Sequence, residues 1–99
     1  MDVDILYVAE CPHVARARTR LSEALDVTGI SASIRETIVE TPAAAEALGM
    51  RGSPTFLFNG RDPFPSSDDL GSLSCRLYRV DNSLDGIPSV DQLVTALQS

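Results

Sequence analysis

Val3-Asp4-Ile5-Leu6-Tyr7-Val8-Ala9-Glu10-Cys11-Pro12-His13 is the stretch that decides the fold. Residues 3–9 are rich in β-branched and aromatic side chains and apolar on both faces, the pattern of a central buried strand. A helical pattern begins at once. Pro12 suits a first helical position, where its missing N–H leaves no bond unmade. Val14, Ala17, Leu21, Ala24, Leu25 and Thr28 trace one face, with Arg16, Arg20 and Glu23 on another. Gly29 is placed to close the helix.

Downstream, Ile30, Ala32 and Ile34 alternate with Ser31, Ser33 and Arg35, predicting a second strand with one wet face, at or near a sheet edge. Thr41 caps a short helix that opens on Pro42 and runs to Leu48 before Gly49. Ser53-Pro54 introduces Thr55-Phe56-Leu57-Phe58, a strongly β run, and Asn59-Gly60 is a hairpin signal. Two segments compete for the returning strand: residues 61–64, where Pro63 is tolerable only at an edge, and residues 76–80. Residues 65–74 read as an irregular or briefly helical insertion. Ser89 caps a last helix, Gln92 completes a capping box, and Val90, Leu93, Val94 and Leu97 supply its core face. The expected class is α/β, in the order β-α-β-α-β-β-α.

Ninety-nine residues, 43% of them apolar, predict one domain over residues 1–99 with a single small core. A net charge of −6 and the absence of any lysine argue against a nucleic-acid surface, which needs clustered cations. The N-terminus carries no basic region of the secretory kind. No apolar run approaches the ~20 residues that span a bilayer. Two cysteines in such a chain suggest a reducing compartment, where thiols are more often reactive than structural. A cytoplasmic protein without membrane or nucleic-acid partners is expected, and its oligomeric state is left open.

A cysteine after the first strand and an X-Pro step before the third resemble the thioredoxin-like superfamily. Cys11-Pro12-His13-Val14 is similar to the Cys-Pro-Tyr-Cys motif of glutaredoxins, with Val14 where the second cysteine would stand. Ser53-Pro54 resembles the family's cis-proline loop. Ser66-Ser67-Asp68-Asp69-Leu70 faintly resembles the stretch with which glutaredoxins hold a glutathione carboxylate. The resemblance implies a central mixed four-stranded sheet flanked by helices, with the first and third strands antiparallel neighbours that bring Cys11 beside Pro54. It also implies a Cys11 nucleophile, with Pro12, His13, Ser53, Pro54, Asp68 and Asp69 around the substrate. No resident cofactor or metal is implied. Glutathione is the implied co-substrate, and a thiol- or disulfide-bearing protein the alternative partner.

Each residue also has a plainer reading. Cys11 is either a small buried hydrophobe or an N-cap thiol. In the second case the positive helix end would lower its pKa from ~8.5 into the range of roughly 3.5–7.5. His13 is either a cation near that sulfur or a solvated first-turn side chain. Pro54 is either trans, as most X-Pro bonds are, or cis, exposing the Ser53 backbone for pairing with an extended peptide or glutathione. Cys75 is either a packing residue of the last strand or a resolving thiol that the insertion carries toward Cys11. Asp62, Asp68 and Asp69 read most simply as a solvated loop.

Three functions compete. The first is thiol-disulfide exchange or glutathione mixed-disulfide chemistry at Cys11. The second is soft-metal or mercury binding, since thiolates select soft ions. Small chains similar to this one, labelled alkylmercury-lyase-like, point the same way. The third is a non-catalytic binding module that keeps the fold alone.

Overall fold

The structure, a computed structural model, describes residues 1–66 and 68–99. Its elements are β1 (Asp2–Tyr7), α1 (Val14–Thr28), β2 (Ser33–Ile38), α2 (Pro42–Leu48), β3 (Arg51–Ser53), β4 (Thr55–Phe58), β5 (Ser72–Cys75), β6 (Tyr78–Val80), β7 (Ser83–Asp85) and α3 (Val90–Leu97). The protein is an α/β domain with mixed pairing. Among the described residues, no helix is long and apolar enough to cross a membrane.

The main sheet has the order β2-β1-β4. Its centre is β1, parallel to β2 in the register Asp2↔Ser33 to Tyr7↔Ile38. On its other side β1 is antiparallel to β4, from Val3↔Phe58 to Leu6↔Thr55. Alternation along the central strands divides the core in two. Val3, Ile5, Phe56 and Phe58 join Ala17, Leu21 and Ala24 of α1 and Leu93 and Leu97 of α3. Leu6 and Leu57 point the other way, onto Val39, Met50 and Ala45 of α2. Each fully buried Leu, Ile or Phe in these clusters contributes about 1.5–3 kcal/mol, so helices hold both faces of β1 and β4.

Local sequence explains the helix ends. Thr41 accepts a hydrogen bond from Ala44 N at 3.1 Å, and Pro42 occupies the first turn. Ser89 and Gln92 form a reciprocal capping box, at 3.1 and 2.9 Å. Gly29 ends α1 with φ +70°, a left-handed cap.

Several expectations are corrected. Among the described residues the main sheet has three strands rather than four. After the Asn59-Gly60 turn Arg61 bridges back to Phe58 as an isolated pair. Pro63 and Pro65 lack donors and stop that strand from growing. Residues 76–80 do not return to β4 either. There β6 pairs with β7 as a separate antiparallel hairpin, from Tyr78↔Asp85 to Val80↔Ser83. The insertion yields β5, which pairs parallel with β3. β2 starts at Ser33, three residues later than its pattern suggested, and is wet on both faces, with Ile34 and Ile38 about half exposed. α1 starts at Val14 with His13 as N-cap, so Cys11 and Pro12 precede the helix instead of opening it.

Candidate functional site

The candidate site gathers around Ser53, where the ends of three chain segments meet. The Ser53-Pro54 peptide bond is cis, as the resemblance implied. Ser53 has no solvent exposure, and its Oγ accepts a hydrogen bond from Val8 N at 3.1 Å. Val8 O in turn accepts from Cys11 N at 3.0 Å. The turn that carries Cys11 is therefore tied to β3 through a single residue. On the opposite side Ser53 pairs with Cys75 in the β3–β5 ladder. Arg76 N donates to Ser53 O at 3.0 Å.

The two cysteines, both free thiols, thus reach Ser53 from opposite directions and differ in access. Cys11 is 8% exposed, whereas Cys75 lies open to solvent. The reading of Cys75 as a packed core residue fails. The β3–β5 register is irregular between Arg51 and Ser53, and brings the Cys75 backbone opposite Ser53 with its side chain exposed.

Tyr78 closes the arrangement. Its hydroxyl donates to Pro54 O at 2.5 Å. Burial pushes the phenol well above its ordinary range. The Arg76 charge opposes that shift, and negative charge on Asp62, Cys11 and Asp68 adds to it.

Arg76 anchors the segment bearing Cys75. It is fully buried and donates to Asp62 Oδ2 at 2.6 Å, Asp62 Oδ1 at 3.2 Å, Phe64 O at 2.9 Å and Thr55 Oγ1 at 3.3 Å. Its guanidinium lies 4.5 Å over the Tyr78 ring. Sequence reasoning missed Arg76 and Tyr78 and placed Asp62 in a solvated loop. The only hint was an arginine inside the alternating run Leu73 to Tyr78, flanked by residues that prefer burial.

The remaining expected residues divide. Pro12 is exposed. The His13 ring packs so closely on Gly86 that a Cβ there would come within 2.5 Å of it. Its Nδ1 lies 3.4 Å from Arg16. His13 is therefore half-buried rather than solvated, and among the described residues no hydrogen bond joins it to Cys11. Asp68 sits beside the site, its Oδ2 2.5 Å from where a Gly52 Cβ would stand. Asp69 is exposed, and its backbone carbonyl accepts from Ser72 N at 3.1 Å. Among the described residues, neither Asp68 nor Asp69 lies at a helix start. Ser67 of the same stretch lies outside the described residues.

The backbone expectation at Ser53 is overturned as well. Ser53 and Pro54 are both buried and Ser53 O already has its donor, so neither is presented to an incoming chain. A cleft of about 490 Å³ lined by Phe64, Leu77, Tyr78, Leu84 and Gln92 opens beside the β6–β7 hairpin, and neither thiol lines it. Among the described residues, no group of three or more His, Cys, Asp or Glu converges as a metal site. No family model, curated protein or solved structure matches this chain.

Proposed function

We propose that the protein is a thioredoxin-like thiol-redox protein in which Cys11 and Cys75 carry out thiol-disulfide exchange. The observation that carries this reading is the register of Cys75 against Ser53, whose side chain holds the turn bearing Cys11. Support for the fold comes from the order β2-β1-β4 with β1 parallel to β2 and antiparallel to β4. Helices lie on both faces of that sheet, and Cys11 and Pro54 sit at the same end of it.

The chemistry balances with two thiols. The Cys11 thiolate attacks one sulfur of a partner disulfide, that S–S bond breaks, and the partner leaves as a thiolate. A mixed disulfide remains on Cys11. The Cys75 thiolate then attacks the Cys11 sulfur, closing an internal disulfide and releasing the second partner thiol. Two electrons pass from the protein dithiol to the partner disulfide. Attack needs thiolate and access, and closure needs the two Cα atoms within ~7 Å. Val14 rules out the usual short-spaced second cysteine, which leaves this role to Cys75. A reducing compartment suits such a dithiol.

The test is intact-mass analysis of reduced wild type, Cys11→Ser and Cys75→Ser after exposure to oxidised glutathione. Cys75→Ser should accumulate a glutathione adduct on Cys11, and the wild type should pass beyond it. A Cys11 thiol that stays unmodified in the native protein yet reacts after unfolding would reject the reading.

One observation favours a second reading, soft-ion binding. Two free thiols lie on segments that are both tied to the buried Ser53, Cys75 by strand pairing and Cys11 through Val8, and a pair of thiolates suits a soft ion such as Hg(II). Tight Hg(II) binding lost in either cysteine variant, without any glutathione adduct, would select it.

A further inference from the structure

An extended chain recognised at a sheet edge pairs its main chain with that edge. Beside Ser53 the edge belongs to β3, and β5 of the same chain already fills it. Both ends of β5 are fastened. Before it, Gly71 N donates to Met50 O at 2.8 Å, and Leu73 packs against the core cluster of Leu6, Val39, Ala45, Met50 and Leu57. After it come the Arg76 N bond to Ser53 O and the buried Arg76–Asp62 pair. The strand ends on Cys75, opposite Ser53.

We infer that β5 is a self-docked strand, which presents the chain's own Cys75 to the site and restricts the external reactant of Cys11 to low-molecular-weight disulfides and thiols. An extended polypeptide meets β5 on the side of β3 where it would pair, and Cys11, at 8% exposure, offers a protein-sized disulfide little surface. The inference rests on the exchange chemistry proposed above and names its substrate class. The reaction with a small disulfide RSSR balances as before: the protein dithiol becomes the Cys11–Cys75 disulfide and RSSR becomes two RSH.

The test uses Cys75→Ser, which traps the first adduct on Cys11. Its capping is timed by acid quench and intact mass with two probes. One is bis(2-hydroxyethyl) disulfide, and the other is an unstructured peptide carrying the same disulfide as a mixed hydroxyethyl cap. The small probe should cap Cys11 about tenfold or more faster, because attack depends on access. Leu73→Ala, which loosens β5, should narrow the gap. Equal rates, or a faster peptide, overturn the inference while leaving the exchange chemistry standing. Capping by neither probe overturns both. Amide hydrogen exchange gives a check independent of reactivity: the Arg76 amide should exchange slowly in the wild type, and exchange at the rate of an open loop overturns self-docking.

Discussion

Arg76, with no exposed surface, donates to both carboxylate oxygens of Asp62, at 2.6 and 3.2 Å, from the residue that directly follows Cys75. The pair fastens the end of β5 to the loop after the Asn59-Gly60 turn. Since Arg76 N also bonds Ser53 O, one residue sets both the register of Cys75 and the filling of the β3 edge.

Replacing one partner of this pair should be expensive. In Asp62→Asn the Arg76 charge stays buried without its counter-ion, a change that costs about 3–5 kcal/mol when a buried pair is broken. Urea unfolding should show that loss. By contrast, Glu36→Gln breaks the pair with Arg18, in which the side chains are 29% and 47% exposed, and should leave the urea midpoint nearly unchanged. Equal shifts in the two variants would contradict the anchoring role of Arg76.

Gly52 should tolerate no side chain. Its φ is +94°, and a Cβ would come within 2.5 Å of Asp68 Oδ2 and 2.8 Å of Arg76 Cβ. Gly52→Ala therefore adds a steric clash to a backbone penalty and should cost about 2–4 kcal/mol. Gly60 also has a positive φ but nothing within 4 Å of its would-be Cβ. Gly60→Ala should cost only about 1–2 kcal/mol. Thermal melts of the two variants measure the difference, and equal losses would show that β5 does not press on β3.

Tyr78 sets the alkaline limit of stability. Burial raises its pKa in the folded state, with Arg76 opposing and Asp62, Cys11 and Asp68 adding to the rise. The folded protein thus holds the phenolic proton more tightly than the unfolded chain does. The stability it contributes is intact below the ordinary value of 10.0 and declines as the pH climbs above it. Tyr78→Phe should flatten that decline. At neutral pH the same variant leaves buried Pro54 O without its donor, at a cost of about 1–3 kcal/mol. Urea midpoints for both proteins at neutral and alkaline pH give the answer, and parallel alkaline slopes would count against it.

Much of this frame was legible in the chain because it depends on local signals. The caps at Thr41 and Ser89, the apolar face of α1 through Ala17, Leu21 and Ala24, and the two-faced run of β1 are short-range patterns. Phe56 and Phe58 read as strand for the same reason. What could not be read depends on distant partners. Ser72-Leu73-Ser74-Cys75 has no β-branched residue, and becomes a strand only because β3 offers it an edge. The burial of Arg76 has no local signature, since its partners Asp62 and Thr55 lie 14 and 21 positions away. The fourth sheet strand was expected at residues 61–64 or 76–80; Pro63 and Pro65 prevent the first, and Tyr78–Val80 pairs with β7 instead. At the site, the resemblance implied the antiparallel β1–β4 pair, which puts Cys11 and Pro54 at the same end of the sheet, whereas the exposed Cys75 opposite Ser53 and the inward His13 depend on distant partners.

The most direct measurement is peptide mapping of the reduced wild-type protein after titration with diamide, a small thiol oxidant. A pair that meets across Ser53 should lose two hydrogens and yield one species, in which the peptides bearing Cys11 and Cys75 are joined within a monomer. Cysteines that stay reduced, or that link only between molecules, would contradict the account.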